Sequence, residues 1–146
     1  MFYFIIIPLI LVLDIFTKYL STFYFKLAEI EVIKNILYFT YVENRGAAFG
    51  IMQNKQWFFI IVTLILIAVM VIYILKSKPE SKLLKIALSF IIGGGIGNLI
   101  DRIVKGYVVD FIDVRIINYP VFNIADCFVV MGAVLLCIYI LFSKEK

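Results

Sequence analysis

Histidine is absent from this chain of 146 residues, and cysteine occurs only twice. The lack of histidine excludes Ser-His and Cys-His nucleophilic sites, and it excludes zinc sites with histidine ligands. Cys127 and Cys137 lie ten residues apart on one predicted helix, where no disulfide can join them and where cysteine packs as a small apolar residue. We expect no metal ion and no cofactor, so any hydrolytic chemistry has to come from other side chains.

Charged residues are also scarce, at 16% of the chain, whereas 64% of the residues are hydrophobic. Soluble domains are about 45–50% apolar, so this composition indicates a membrane protein. The net charge of +4 comes from basic residues scattered among apolar runs. That pattern disfavours nucleic acid as a partner and favours membrane phospholipid. The length fits a single domain over residues 1–146.

Four apolar segments are long enough to span a bilayer, and they cover about residues 2–19, 57–75, 83–100 and 124–142. The first has neither a basic start nor a small-residue cleavage site, so we interpret it as a retained span rather than a signal peptide. Four spans place both termini on one side of the membrane. Lysines in residues 76–85 and at the C terminus mark that side as cytoplasmic. Residues 20–56 and 101–122 then face outward.

The first outward segment contains a predicted strand at residues 33–42, which are rich in β-branched and aromatic side chains. The strand is followed by Asn44-Arg-Gly-Ala-Ala-Phe-Gly50, in which Gly46 and Gly50 permit tight turns. Asn44 supplies a hydrogen-bond donor. Spacing alone assigns no function to this loop.

Four of the five aspartates lie within residues 93–126, although a carboxylate costs roughly 2.5–3.5 kcal/mol at the centre of a membrane helix. Residues 107–117 predict an extended segment, whose side chains alternate between two faces. Asp113 then has Arg115 on its own face, two residues on. The face that carries Asp110 is otherwise apolar, with Val108, Ile112, Val114 and Ile116. Asp110 is therefore the aspartate whose pKa burial should raise.

Asp126 opens the fourth span, and two roles for it remain open. One is capping, with Asn123 as the N-cap and Asp126 in a first turn where the helix dipole favours an anion. The other is catalysis, which capping does not exclude. Asp101 lies at the C-terminal end of the third span, where the dipole disfavours an anion, so we predict a stabilising partner for it. We interpret Asp101 and Arg102 as structural support for a site.

Polar and small residues inside the spans also have two interpretations. Asp14 and Lys18 are spaced i, i+4 and share a helix face. They form either a self-neutralising ion pair at the membrane edge or a pair that braces a polar site in the bundle. The glycines of residues 93–97 have no Walker or dinucleotide pattern around them, so close helix packing is favoured over phosphate binding.

A chain without histidine can still hydrolyse an amide with two carboxyl groups. When the two share one proton, one of them activates water as a base and the other protonates the leaving group as an acid. Asp110 and Asp126 are the best pair for this chemistry. Both lie at the same predicted membrane face, one on an apolar strand face and one at a helix N terminus.

Five segments in order along the whole chain resemble the lipoprotein signal peptidase family, also called signal peptidase II. They are Asp14-x-x-x-Lys18, Asn44-Arg-Gly-Ala-Ala-Phe-Gly50, Gly97-Asn-Leu-Ile-Asp-Arg102, Val109-Asp-Phe111 and Phe122-Asn-Ile-Ala-Asp126. One such segment would be weak, whereas five in this order on four predicted spans are specific.

The resemblance implies an aspartic peptidase of the bacterial inner membrane that acts on prolipoproteins. It would cleave the signal peptide on the amino side of the cysteine that carries a diacylglyceryl group. It also implies an all-α, four-helix transmembrane bundle with a small extracytoplasmic β-cradle, and inhibition by globomycin-type peptides. The catalytic pair carries over onto Asp110 and Asp126. The supporting residues carry over onto Asp14, Lys18, Asn44, Gly46, Asn98, Asp101, Arg102 and Asn123.

Three other interpretations remain open from the residues alone. A small proton-coupled transporter or channel would line a polar path with the charged residues of the first and third spans, although residues 57–75 and 127–142 offer almost no polar side chains. A membrane scaffold would leave the costly aspartates unused. A Ser-Lys peptidase rests only on the i, i+3 spacing of Lys18 and Ser21.

Overall fold

The computed structural model describes residues 2–46 and 52–143, and within them the chain forms four α-helices and one small sheet. The predicted loop residues Ala47 to Gly50 lie outside the described residues, as does the C-terminal Lys-Glu-Lys. The elements in chain order are α1 (Phe2–Tyr24), β1 (Ile30–Ile33), β2 (Leu37–Asn44), α2 (Gln56–Ser77), α3 (Lys82–Val104), β3 (Val108–Val114), a 3-10 helix (Arg115–Ile117) and α4 (Ile124–Phe142).

Each of the four helices is long and apolar enough to cross a membrane. They differ in how much of that apolar surface the protein itself covers. In the most apolar segment of α3, 56% of the residues are buried, against 6% in α2. The bundle is therefore organised around α3, whereas most apolar side chains of α2 remain exposed on its surface.

Glycines on α3 allow its neighbours to approach closely, as the sequence predicted. A Cβ atom at Gly93 would lie 3.0 Å from the Ile10 side chain of α1, and one at Gly97 would collide with the Asp14 carboxylate. Gly94 faces α4, where the same added atom would overlap the backbone carbonyl oxygen of Ala125. Small residues at these contacts bring the polar side chains of α1, α3 and α4 within hydrogen-bonding distance.

We expect Gly94→Ala to lower the free energy of unfolding by about 1–3 kcal/mol, because a backbone carbonyl cannot move aside as a side chain can. Gly95→Ala is the matched control, since its Cβ would meet only the side chains of Ile67 and Thr63, at 3.7 Å or more. Alanine is the better helix former, so the control should be neutral or slightly stabilising. Unfolding in mixed micelles measures both. Equal stability of the two variants would contradict this packing.

The sheet is antiparallel, in the order β1-β2-β3. A register shift between Phe39 and Val42 places one extra residue of β2 against β3, which is a β-bulge. Beyond the bulge, Val42 pairs with Asp110, and Asn44 pairs with Val108. Because side chains alternate along a strand, Asn44 and Asp110 then lie on the same face of the sheet.

Two strand predictions need correction. The strand predicted at residues 33–42 is interrupted, because residues 34–36 form a turn in which Asn35 has a left-handed backbone with φ of 58°. A hydrogen bond from the Ile36 N–H to the Ile33 carbonyl closes this turn. The extended segment predicted at residues 107–117 ends at Val114, since the next three residues form a 3-10 helix.

Because of this 3-10 helix, the set of side chains predicted to share a face with Asp110 also needs correction. Ile116 is 63% exposed and does not share the buried side of Asp110. Val108, Val109, Asp110 and Phe111 are all buried, so this end of β3 is covered on both faces. The helices run past their predicted ends as well: α1 continues to Tyr24, and α3 continues to Val104, so Asp101 and Arg102 are helical.

Candidate active site

A cleft of about 290 Å³ lies where α3, α4 and the sheet meet, and two aspartates line it. Asp110 reaches it from β3, and Asp126 reaches it from the first turn of α4. The other polar side chains on its wall are Asn44, Asn98 and Arg102. Apolar residues form the remainder, with Phe59, Val108, Tyr119, Pro120, Val121, Phe122, Val129 and Val130.

The Asp110 carboxylate is 2% exposed and is held by two amide groups. Asn44 Nδ2 donates to Oδ2 at 2.8 Å, and Asn123 Nδ2 donates to Oδ1 at 2.7 Å. Burial, followed by the negative charge of Asp126, raises the pKa of Asp110 to about 7. Both hydrogen bonds favour the ionised form and so oppose this rise. Asp110 can therefore hold or release a proton near neutral pH.

Asp126 occupies the third helical position of α4, and Asn123 is the N-cap, as the capping interpretation predicted. The Asp126 N–H donates to Asn123 Oδ1 at 2.9 Å, and the Asn123 N–H donates to Asp126 Oδ2 at 3.1 Å. This is a capping box with Asp in the usual place of Glu. The cap fixes the carboxylate in the cleft, so capping and chemistry are compatible at this residue.

Two asparagines connect the aspartates. Asn123 contacts both, through its side chain to Asp110 and through its backbone to Asp126. Asn98 Nδ2 donates to Asp126 Oδ1 at 2.7 Å, and Asn98 Oδ1 accepts from Asn123 Nδ2 at 3.1 Å. Asn98 and Asn123 thus join the two aspartates in one hydrogen-bond network, which orients both carboxylates.

The ammonium group of Lys18 also belongs to this hydrogen-bond network. It lies within hydrogen-bonding distance of Asp14 Oδ2 (2.8 Å), Asn98 Oδ1 (3.0 Å) and Asp101 Oδ2 (3.0 Å). An ammonium has three donors, so these three acceptors satisfy it. Lys18 is 2% exposed and Asp14 is fully buried. The ion pair is therefore part of a larger buried polar network that includes Asn98 and Asp101.

Asp101 has the stabilising partners that its position required. Besides Lys18, Lys105 contacts Asp101 Oδ1 at 2.8 Å, and the Val109 N–H donates to Oδ2 at 3.3 Å. The hydrogen bond from Val109 connects the C-terminal end of α3 to β3, at the residue that precedes Asp110. Asp14 makes a comparable link, because it accepts from the Ala125 N–H of α4 at 3.0 Å. The carboxylates of Asp101 and Asp14 therefore bind to β3 and α4, the two elements that carry Asp110 and Asp126.

Arg102 lies closer to the site than the sequence suggested. It lines the cleft itself, with its guanidinium 5.1 Å from the centre of the Phe59 ring. One of its terminal nitrogens is 3.5 Å from the carbonyl oxygen of Gly46. Its Nε is buried and has no hydrogen-bond partner among the described residues.

Gly46 acts on the site through Asn44. The Gly46 N–H donates to Asn44 Oδ1 at 2.9 Å, which forms an Asx-type turn. With its oxygen held in this way, the Asn44 amide turns its nitrogen towards Asp110. Asp113 is not among the residues that line the cleft, and Arg115 Nε donates to its carboxylate at 2.7 Å.

Sequence reasoning missed the apolar part of the site. A groove of about 470 Å³ adjoins the cleft and shares Tyr119, Phe122, Asp126 and Val130 with it. Its other lining residues are Val114, Ile117, Cys127 and Met131. Such residues are common throughout an apolar chain, so no pattern distinguishes them. In residues 2–46 and 52–143, no group of three or more His, Cys, Asp or Glu residues could hold a metal ion.

The fold and the site together define a membrane protein with two carboxyl groups in a cleft at the ends of its helices. Comparison with known proteins identifies the family. A family model described as signal peptidase (SPase) II matches residues 6–142. The chain therefore belongs to the signal peptidase II family and is a membrane peptidase. This membership sets aside the transporter and scaffold interpretations.

Individual relatives agree with the family model. The lipoprotein signal peptidase of Clostridioides difficile is 48% identical over 100% of this chain and 99% of its own length. That of Caldanaerobacter subterraneus is 47% identical over 95% of each chain. A solved structure described as a bacterial membrane enzyme superposes with a TM-score of 0.89 at 35% identity, covering 99% of this chain and 92% of that one. A second gives 0.85 at 36% identity, covering 97% and 94%.

Proposed function

We propose that this protein is an aspartic endopeptidase that removes the signal peptide from bacterial prolipoproteins. Its substrate carries a diacylglyceryl group on the cysteine at the cleavage site, and cleavage occurs on the amino side of that cysteine. The relatives' shared name, lipoprotein signal peptidase, supports this substrate class. The catalytic residues are Asp110 and Asp126.

The observation that carries the proposal is the common support of the two carboxylates. Both line one cleft, where Asp110 is buried and Asp126 is partly exposed, and one residue, Asn123, holds both. Asn44 and Asn98 occupy further carboxylate oxygens and leave the cleft side for a water molecule or a substrate. Amide donors fix the geometry of a carboxylate without neutralising it, as an ion pair would.

The reaction needs one proton between the two aspartates. Two like charges at close range cannot both form easily, so one carboxyl group keeps its proton while the other is ionised. The ionised group takes a proton from water as the water attacks the peptide carbonyl carbon. The protonated group then donates to the departing amine, and the peptide bond breaks. Since the two groups titrate together, their apparent pKa values belong to the pair.

Arg102 assists by stabilising charge at the carbonyl oxygen of the scissile bond. A guanidinium on the wall of an enclosed cleft supports a developing negative charge more strongly than it would in water. Arg102 lines the cleft together with Asp110 and Asp126, which places its positive charge on the wall beside both carboxyl groups. Arg102 and the aspartates thus have separate roles, electrostatic for the first and proton transfer for the second.

The proposed orientation places the cleft at the outer face of the bacterial inner membrane. All four helices span the bilayer, both termini are cytoplasmic, and the sheet forms an extracytoplasmic cradle within one domain of residues 1–146. Lysines at residues 76, 78, 82 and 85 support this orientation, since basic loops remain in the cytoplasm. The diacylglyceryl chains stay in lipid, and the apolar groove beside Asp126 accommodates the apolar part of the substrate.

The substrate class is tested by incubating purified protein with a prolipoprotein precursor that carries the diacylglyceryl group and with the same precursor without it. Mass spectrometry should show a product that begins at the lipidated cysteine, and the unlipidated precursor should remain intact. A globomycin-type peptide should block cleavage by occupying the same cleft. Equal cleavage of both precursors, or cleavage at another bond, would contradict the proposed substrate.

The pH dependence of cleavage should report the proton on the pair. Activity is expected to fall as the pH rises through about 7, because Asp110 then loses its proton and both carboxylates are ionised. Asn44→Ala removes a hydrogen bond that favours ionised Asp110. The pKa of Asp110 should then rise, and the fall in activity should move to higher pH.

The matched control for Asn44→Ala is Tyr38→Phe, on the same strand but outside the cleft. Its pH profile should follow that of the wild type. An Asn44→Ala profile that moves to lower pH, or that does not move, would show that Asp110 does not determine the alkaline limb.

A further inference from the structure

A second cavity, of about 360 Å³, lies on the opposite face of the sheet from the active-site cleft. Strand β3 separates the two, because Val109 lines the second cavity while Val108 and Asp110 line the cleft. The walls come from α1, α3 and the sheet. Three lysines, Lys18, Lys26 and Lys105, contribute to them, together with Tyr19, Tyr41 and Tyr107.

The charge in this cavity is positive where Lys26 and Lys105 line it. Asp14 and Asp101 compensate Lys18 and Lys105 through the buried network. Lys26 makes no ion pair among the described residues, and its ammonium lies 5.2 Å from the centre of the Tyr41 ring. Glu43 accepts from the Tyr41 hydroxyl at 3.3 Å, but Arg45 pairs with the same glutamate at 3.1 Å. The uncompensated charge at the cavity is therefore that of Lys26, with the partly exposed Lys105 nearby.

The remaining walls are apolar and continue onto the outer surface of the bundle. Ile15 is 52% exposed, Val104 is 73% exposed and Tyr19 is 64% exposed. In a spanning bundle these side chains face lipid, and tyrosines are typical of the boundary between lipid and water. The cavity thus combines cationic donors at one end with a route into the hydrocarbon at the other.

We propose that this cavity binds one anionic phospholipid, with its phosphate between Lys26 and Lys105 and an acyl chain along Ile15, Ile100 and Val104. A free phosphate would use only the lysines and would leave the apolar walls uncovered. A phospholipid matches both parts of the cavity. The proposal rests on the membrane placement of the helices and is independent of the peptidase reaction, because binding can be measured without substrate.

Native mass spectrometry of the purified protein tests the proposal with three probes: phosphatidylglycerol, phosphatidylcholine and inorganic phosphate. We expect retention of phosphatidylglycerol over phosphatidylcholine, without competition from inorganic phosphate. Each lysine near an anionic lipid contributes roughly a fivefold factor in affinity. Lys26→Gln should therefore weaken binding about fivefold, and Lys26→Gln/Lys105→Gln should weaken it about thirtyfold.

The matched control is Lys34→Gln/Lys55→Gln, which removes the same charge outside the cavity and should retain wild-type binding. Lys26→Gln breaks no ion pair within the described part of the chain but removes the contact with the Tyr41 ring, so its unfolding midpoint is compared with that of the wild type. The proposal is overturned by equal retention of both lipids, by displacement of lipid by inorganic phosphate, or by unchanged binding in the Lys26→Gln variant. Loss of cleavage activity with intact lipid binding would concern the peptidase proposal alone.

Discussion

Asparagine in place of Asp110 or of Asp126 is expected to lower kcat about a thousandfold or more. The amide has nearly the shape of the carboxyl group but can neither take a proton from water nor donate one to the leaving amine. In Asp126→Asn, the introduced amide oxygen would still accept from the Asn123 N–H, so the helix cap should survive. The measurement is the single-turnover rate of cleavage of the lipidated precursor in detergent or lipid.

Asp113→Asn is the control for both variants. Asp113 lies on the same strand as Asp110, but it does not line the cleft, and its carboxylate pairs with Arg115. Its removal should leave cleavage within about twofold of the wild type, since a partly exposed ion pair contributes little to stability. Thermal unfolding midpoints would show that all three variants are folded. Near-normal activity in a folded Asp110→Asn or Asp126→Asn variant would exclude the proposed pair.

Lys18→Met is expected to destabilise the protein by about 3–5 kcal/mol, the usual cost of leaving a buried charge without its partner. Lys18 contacts Asp14, Asn98 and Asp101 at the same time, and Asp14 is fully buried. The Asn98 amide would also lose the contact that fixes its orientation towards Asp126. We therefore expect the catalytic rate to fall together with the free energy of unfolding.

A double substitution and a control variant distinguish the effect of an unpaired buried charge from the effect of altered packing. Asp14→Asn/Lys18→Met removes both members of the buried pair and should recover part of the stability lost in Lys18→Met. Lys105→Met, which removes the exposed partner of Asp101, should cost at most about 1 kcal/mol. A Lys18→Met variant as stable as Lys105→Met would contradict a central role for Lys18.

Much of the site was predictable because its residues carry chemistry that is unusual in an apolar chain. The aspartates near the third and fourth helices are conspicuous there, and Asn123 indicates a helix N terminus by its spacing from Asp126. The glycines at 93, 94 and 97 likewise predicted close packing, which depends on residue size more than on register. Rules of this kind depend only on the identity and spacing of residues that are close together in the sequence.

The rest depends on contacts between distant parts of the chain. Lys18 meets Asn98 across 80 residues, and no local pattern shows that these two side chains share a hydrogen bond. The bulge in β2 decides which residues pair with Asp110, and a strand pattern does not locate a bulge. Arg102 reaches the cleft because α3 continues to Val104, one turn beyond its predicted end.

The central claim is that Asp110 and Asp126 hold one proton between them near neutral pH. Infrared spectroscopy of protein with ¹³C-labelled aspartate, compared with Asp110→Asn and Asp126→Asn, counts the protonated carboxyl groups of the pair. We predict one at about pH 6, lost with an apparent pKa near that of Asp110, about 7. Two ionised or two protonated carboxyl groups at that pH would contradict the claim.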